Sequence, residues 1–326
     1  MKTDSVTVAI VQQPPAVLDL EVSLRRAIQH IGEAASHGAQ LVVFPETWLG
    51  GYPAWVFGMA GWDDAHARRW HAELVAQSIA IGAADSLDDG LGPLRAAASD
   101  HGVTVVMGMN ERATPASGTL YNTLVTIGPE GTLLNVHRKL VPTHTERIVW
   151  AAGDGAGLRA VETPIGRVGG LICWEHWNPL ARQALHEQDE LLHVAAWPDT
   201  PPMHHVASHS YAFEGRCFVL CAGLYLTTED VPADLLPAYR KGVGPDAPET
   251  EMIFDGGSGV IRPNGEWLHE PVTGRPETLI VTIDPTEAIA HRHDLDVSGH
   301  SARPDVFSLT VNRRRHRTVS WLDTGT

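Results

Sequence analysis

Three short segments of this 326-residue chain put reactive side chains at the ends of apolar runs. In RVGGLICWEHWNPLARQAL an apolar stretch from Val168 to Ile172 ends at Cys173, and a helical pattern begins near Asn178-Pro179. A thiol at such a junction can face an open pocket, where backbone N–H groups stabilise a thiolate and receive an oxyanion. In LVVFPETW the carboxylate of Glu46 follows an apolar strand and Pro45, at the kind of strand terminus where α/β proteins gather ligands. In NVHRKLVPTHTERIVW a strand is followed by Arg138, Lys139, Glu146 and Arg147, packed into one short segment. Taken singly, each feature has an ordinary structural explanation: a capping glutamate, a solvated charged loop, a buried inert cysteine.

The elements that must hold these residues alternate in type along the first half. Residues 5–11 (SVTVAIV) have the pattern of a strand, 20–37 of a helix ending near Gly38, and 41–44 of a short, wholly apolar strand. A helix over 91–101 leads into the strand HGVTVVMGM. This alternation predicts α/β layering. Hairpins come next, turning at Gly128-Pro129-Glu130-Gly131, Pro164-Ile165-Gly166 and Pro263-Asn264-Gly265. Hairpins set among strand–helix units imply a mixed sheet, or two sheets packed together with helices outside. No Pro/Gly/Ser-rich linker divides the chain and no internal repeat is visible, so residues 1–312 are expected to form one domain. Residues 228–250, rich in Pro and Asp, have the composition of a long surface loop. The short basic tail, 313–326, opens on RRRHR and is expected to lie outside the core.

Composition narrows the function classes. Hydrophobic residues at 43% and charged residues at 19% fit a packed globular protein. A formal charge of -15 argues against partners that need a basic face, nucleic acid and anionic membrane alike. Three cysteines are too few for a disulfide scaffold. Cys217 and Cys221, four apart in the strand-like CFVLCAG, would sit roughly 13 Å apart and out of bonding range. That usage suits a reducing cytoplasm. The start, MKTDSVTVAIVQQ, does not resemble a signal peptide, and no apolar run approaches the length of a membrane span; a soluble, cytoplasmic protein is expected. His204-His205 and His291/His293 are the tightest histidine groups and join no HExxH or CxxC motif, so they are expected to be solvated loop residues rather than metal ligands.

Considered together, FPETW (44–48), HRKLVPTHTER (137–147) and GGLICWEHWNPL (169–180) resemble the three signature blocks of the nitrilase superfamily. The resemblance runs from the first strand to GHSARPDVF (299–307). Cys-Trp-Glu-His at 173–176, Thr-His-Thr-Glu-Arg at 143–147 followed by Trp150, and the GDG at 153–155 are most similar to the nitrilase branch. Two departures stand out: Ser301 sits where nitrilases often carry tyrosine, and the tail beyond Arg315 is short.

The resemblance implies a four-layer α-β-β-α sandwich, with Glu46, Lys139 and Cys173 as a catalytic triad and Glu146 as an auxiliary glutamate. It further implies a small-molecule nitrile as substrate, neither metal nor organic cofactor, and a homodimer or larger homo-oligomer. Cys173 would give its proton to Glu46 and attack the nitrile carbon, forming a thioimidate and then a thioester, while Lys139 and a backbone N–H after Cys173 stabilise the developing charge. Tyr52, Trp150, Trp174, Trp177 and Trp197 flank the three blocks and are candidates to line an apolar substrate pocket. The run FVLCAGLYL (218–226) is expected at a subunit interface or in the core beside it. Within the superfamily the alternatives are an aliphatic amidase, an N-carbamoyl hydrolase or a cyanide-degrading enzyme. A non-catalytic binding protein on the same scaffold is disfavoured by the intact Glu46, Lys139 and Cys173, and a thiol-redox enzyme by the lack of a CxxC pair.

Overall fold

The computed structural model describes residues 5–58, 61–81, 90–242 and 252–316. Its first half runs β1 (Val6–Gln12), α1 (Leu20–Ser36), β2 (Leu41–Val43), α2 (Ala65–Ala76), β3 (Ile79–Ala80), α3 (Gly92–His101), β4 (Thr104–Arg112), β5 (Leu120–Ile127) and β6 (Leu133–Arg138). The second half runs β7 (Val161–Thr163), β8 (Gly166–Ile172), α4 (Pro179–His186), β9 (Leu192–Trp197), α5 (Pro202–Gly215), β10 (Phe218–Gly223), β11 (Tyr225–Thr227), α6 (Leu236–Gly242), β12 (Met252–Ile261), β13 (Trp267–Thr273), β14 (Glu277–Ile283) and α7 (Thr286–His291).

These strands form two sheets. One is ordered β14-β1-β2-β4-β5-β6, with β3 on β4; the other is ordered β11-β12-β10-β9-β8-β7, with β13 on β12. Each has a parallel centre, β1-β2-β4 in one and β10-β9-β8 in the other, flanked by antiparallel neighbours. The three expected hairpins are β5–β6, β7–β8 and β12–β13. The parallel centres need covering on both sides, and their side chains show it. Along β1, Ala9 and Val11 join a cluster with Ala27 and Ile31 of α1, whereas Val8 and Ile10 join one with Val194 and Leu220 of the second sheet. Alternation with a period of two therefore feeds a helix layer and an inter-sheet layer at once. The result is the four-layer α-β-β-α sandwich.

Helix α1 shows how sequence sets one outer layer. Asp19 caps it by accepting from the Val22 amide at 3.0 Å, and Ser23, Ala27, Ile31 and Ala34 form the buried stripe. Gly38 follows at φ +84°, a conformation that costs a side chain dearly.

One open alternative is resolved and two expectations are corrected. FVLCAGLYL, expected at an interface or in the core beside it, forms β10 and β11 with 218–226 buried, which places it in the core. Residues 228–242 are not a loose surface loop. Leu235, Ala238 and Tyr239 are buried, and Tyr239 of α6 packs its ring 5.6 Å from that of Trp55; residues 243–250 lie outside the described residues. His204 is not a solvated loop residue either: it is buried on α5 and stacks on Trp197 with ring centroids 4.3 Å apart. Of the tail, residues 313–316 are exposed, with Arg315 tied back to Asp154 at 3.1 Å, and residues 317–326 lie outside the described residues. Among the described residues no helix is long and apolar enough to cross a membrane.

Candidate active site

Glu46 stands three residues beyond the end of β2. The turn that carries it lies so close to β4 that a Cβ on Gly108 would sit 2.0 Å from the Pro45 carbonyl oxygen, so only glycine fits there. Thr47 completes the turn with φ +47°. Glu46 is fully buried; its Oε1 accepts from Asn122 Nδ2 of β5 at 2.6 Å and from Lys139 Nζ at 2.9 Å. Its Oε2 is buried with no hydrogen-bond partner among the described residues.

Lys139 follows β6. The run His137-Arg138-Lys139, which charge density alone marks as a solvated loop, is instead the end of β6 and the residue after it, where each side chain meets a buried carboxylate. His137 Nε2 lies 2.9 Å from Glu175 Oε2, Arg138 Nε donates to Glu111 Oε2 at 2.8 Å, and Lys139 Nζ donates to Glu46 and to Glu146 Oε2, each at 2.9 Å. Glu146 is saturated: its Oε2 also accepts from the Thr143 amide at 2.6 Å, and its Oε1 from the Tyr52 hydroxyl at 2.6 Å. The two glutamates beside Lys139 thus differ in kind. Glu146 has every oxygen occupied and can only hold its neighbours, whereas Glu46 keeps a free oxygen with which to take a proton.

Cys173 directly follows β8 of the second sheet and opens a 3-10 turn, Cys173–Trp177, with φ +54°. A non-glycine residue in this left-handed region is strained and must be held by its surroundings. Glu175 supplies part of that hold, accepting from the Ile172 amide at 2.7 Å and from the Leu140 amide at 2.8 Å. One carboxylate therefore ties the cysteine turn to the lysine strand across the two sheets. Positive φ values recur in all three segments, at Thr47, His144 and Cys173.

Burial pushes Glu46 up to about 7, against the opposing pull of Lys139 and with help from the charge on Glu146. Burial likewise drives the Cys173 thiol well above its ordinary range, since Lys139 cannot outweigh desolvation joined to Glu46, Glu146 and Asp199. For Lys139, burial disfavours the ammonium, but the negative charge of Cys173 once ionised, with that of Glu46 and Glu146, raises it well above normal. At neutral pH the site therefore holds a neutral thiol, a permanent cation and a carboxyl poised to accept a proton. A base that titrates near the working pH is well matched to general acid–base chemistry. The constellation suits covalent attack by sulfur on an electrophilic carbon, with charge stabilised by a fixed cation.

A family model described as carbon-nitrogen hydrolase matches residues 7–293. The chain belongs to the carbon–nitrogen hydrolase family. It is 38% identical to "Nitrilase 2" from an unknown prokaryotic organism, over 98% of this chain and 96% of that one. It is 36% identical to the aliphatic nitrilase of Sinorhizobium fredii, over 95% and 97% respectively. Its fold is similar to that of Saccharomyces cerevisiae Nit3, a nitrilase-superfamily structure, with a TM-score of 0.68, 20% identity, and 92% and 97% of the two chains covered.

In this carbon–nitrogen hydrolase the five aromatic candidates scatter. Tyr52 is in the cluster, bonded to Glu146. Trp150 lies behind it, buried, with its ring 5.7 Å from that of Tyr52 and its Nε1 donating to Asn110 at 2.9 Å. Trp197 is buried between His176 and His204. Trp174 and Trp177 are 55% and 38% exposed, and Trp174 Nε1 donates to His204 Nε2 at 3.1 Å. A cavity of about 510 Å³ beside the site is lined by Phe57, Asp199, Phe254 and neighbours, and none of the five is among its lining residues. The Tyr52 ring packs against two of its lining residues, Phe57 and Phe254, at centroid distances of 6.2 and 5.8 Å.

Two contributors went unnoticed in the sequence. Asn122 orients Glu46, and its only signal was a polar residue inside the apolar strand LYNTLVTI. Tyr239 of α6 donates from its hydroxyl to the Tyr52 carbonyl, fixing the residue that fixes Glu146.

Proposed function

We propose that this carbon–nitrogen hydrolase converts an organic nitrile to the carboxylic acid and ammonia, with Cys173 as nucleophile, Glu46 as proton carrier, Lys139 as fixed cation and Glu146 as its anchor. The observation that carries this is the pairing of Lys139 with two glutamates of which one alone has a free oxygen. The nitrilase names of relatives more than a third identical over nearly the whole chain support the substrate class.

Glu46 takes the thiol proton as sulfur bonds to the nitrile carbon, and that proton passes to the nitrogen, giving a thioimidate. Water then adds to the same carbon. Nitrogen, protonated through Glu46, leaves as ammonia, and a thioester remains on Cys173. A second water, deprotonated by Glu46, releases the acid and restores the thiol. Lys139 stabilises the charge on each tetrahedral species, and its two carboxylate partners keep it from moving toward the anion. Collapse to ammonia is favoured over expulsion of sulfur because Glu46 protonates nitrogen. Amides are poor substrates here, since their carbonyl is resonance-stabilised. The test is phenylacetonitrile against phenylacetamide with one enzyme preparation. Faster ammonia release from the nitrile, with acid as the main product, is expected; faster release from the amide would make the protein an amidase.

The same proposal includes a cytoplasmic location, supported by three free cysteines, and a homodimer or larger homo-oligomer. Exposed Leu180 of α4 with Val206 and Phe213 of α5 supports the assembly, and light scattering that returned a monomer would refute it.

A further inference from the structure

Behind Cys173 a second buried polar chain runs away from the triad. Cys173 carbonyl oxygen lies 2.7 Å from His176 Nδ1; His176 Nε2 lies 3.0 Å from His193 Nε2; and His193 Nδ1 lies 2.8 Å from Glu190 Oε1. The Tyr211 hydroxyl donates to Glu190 Oε2 at 2.6 Å. All four side chains are buried, and Gly169 leaves the space for the carboxylate, since a Cβ there would stand 2.0 Å from Glu190 Oε1. The rings are held by stacking, His193 on Tyr211 at 3.6 Å and His176 on Trp197 at 4.8 Å.

Counting protons along this chain leaves little choice. A carbonyl only accepts, so His176 must carry hydrogen on Nδ1. Its Nε2 then accepts if the ring is neutral, so His193 must donate from its own Nε2. Nδ1 of His193 needs a hydrogen between itself and Glu190, either as a carboxylic acid donating to a neutral ring or as an imidazolium donating to a carboxylate. Both forms hold the same number of protons. Remove one, and the bonds can be re-formed only by moving hydrogen to His176 Nε2, which turns a bare Nδ1 toward the Cys173 carbonyl.

We propose that Glu190, His193 and His176 are positioning residues that store one proton and use it to anchor the backbone of the strained nucleophile. Loss of that proton releases the Cys173 carbonyl and lowers activity on the alkaline side. Burial pushes His176 down to about 3, keeping it neutral, and pushes Glu190 up to about 7 against the Tyr211 bond and His186. Burial, with His186, also pushes His193 well below its ordinary range, which favours the carboxylic-acid form of the pair. The other charged groups packed on the chain are Arg182 of α4, donating to the His176 carbonyl at 2.8 Å, Glu214 of α5, 3.7 Å from His186, and the His137–Glu175 pair. Cys217, held protonated by burial, lies near Glu190 and Tyr211.

The role rests on Cys173 as nucleophile, so the first arm of the test does not use turnover. With 15N-histidine, NMR of the wild-type protein should show His176 as the Nδ1–H tautomer at neutral pH and its loss above neutrality. In Glu190→Gln, whose amide donates without titrating, that tautomer should persist. The second arm is kcat against pH with phenylacetonitrile. Glu190→Leu, lacking a donor, should lose about tenfold in kcat with KM little changed, the scale of one buried hydrogen bond. Glu190→Gln should recover most of that loss and move the alkaline limb upward. A His176 that carries its proton on Nε2 at neutral pH, a wild-type tautomer unchanged through the alkaline limb, or a limb unmoved in Glu190→Gln would each overturn the proposal. Correct tautomers with no nitrile turnover would instead count against the substrate and leave the anchor supported.

Discussion

Cys173 and Cys221 are buried thiols in one sheet, at the end of β8 and within β10, and burial alone does not tell them apart. Desolvation raises both, Cys221 to about 12 with only the Ser208 hydroxyl opposing it. What separates them is the backbone and the charge around them. Cys221 lies in regular strand, flanked by the partners Ala195 of β9 and Gly259 of β12. Cys173 has left the strand for a left-handed turn and feels Lys139, Glu46 and Glu146 from the opposite sheet. A buried thiol becomes chemically useful when a base can take its proton and a cation can stabilise the negative charge that develops during attack.

The largest effect should come from exchanging the two. Cys173→Ala is expected to abolish turnover while leaving the folded circular dichroism spectrum, because it removes the atom that carries the intermediate and little volume. Next comes Lys139→Ala, which removes the fixed cation, a loss of roughly 3–4 kcal/mol in the barrier. It also leaves Glu46 and Glu146 facing each other without a counter-ion, and since Lys139 pulls Glu46 down, the acid limb of kcat/KM should move to higher pH.

Glu146→Gln should do the reverse. In the wild type, activity should rise with pH through about 7 as Glu46 becomes ionised and able to accept the thiol proton. The charge on Glu146 raises Glu46, so its removal should shift that limb to lower pH, with a smaller rate loss than Lys139→Ala. An unmoved limb in both variants would separate Glu46 from the pH profile. The smallest effect belongs to Cys221→Ala, which should leave kcat nearly unchanged and cost about 1 kcal/mol in urea unfolding.

How far the sequence carried depended on distance along the chain. Strand period, caps and turn residues are local, so β1, α1, β2 and the three hairpins were legible. Glu46 and Cys173 were visible because each closes an apolar run. The meaning of His137-Arg138-Lys139 was not, because charge density within that segment says nothing of carboxylates at Glu46, Glu111 and Glu175, 27 to 93 residues away. Composition likewise marked 228–242 as loop, although Leu235, Ala238 and Tyr239 bury against Trp55 and its neighbours once the chain returns there. Aromatic residues near the signature segments did not mark the cavity, since Phe57 and Phe254 reach it from elsewhere in the chain.

The most direct test of the central claim is to trap the intermediate. The enzyme is mixed with excess phenylacetonitrile, quenched in acid during turnover, digested and examined by peptide mass spectrometry. An acyl or imidoyl adduct on the peptide containing Cys173, absent from Cys173→Ala, is the predicted result. An adduct on Cys217 or Cys221, or ammonia release with Cys173 unmodified at every time point, would contradict it.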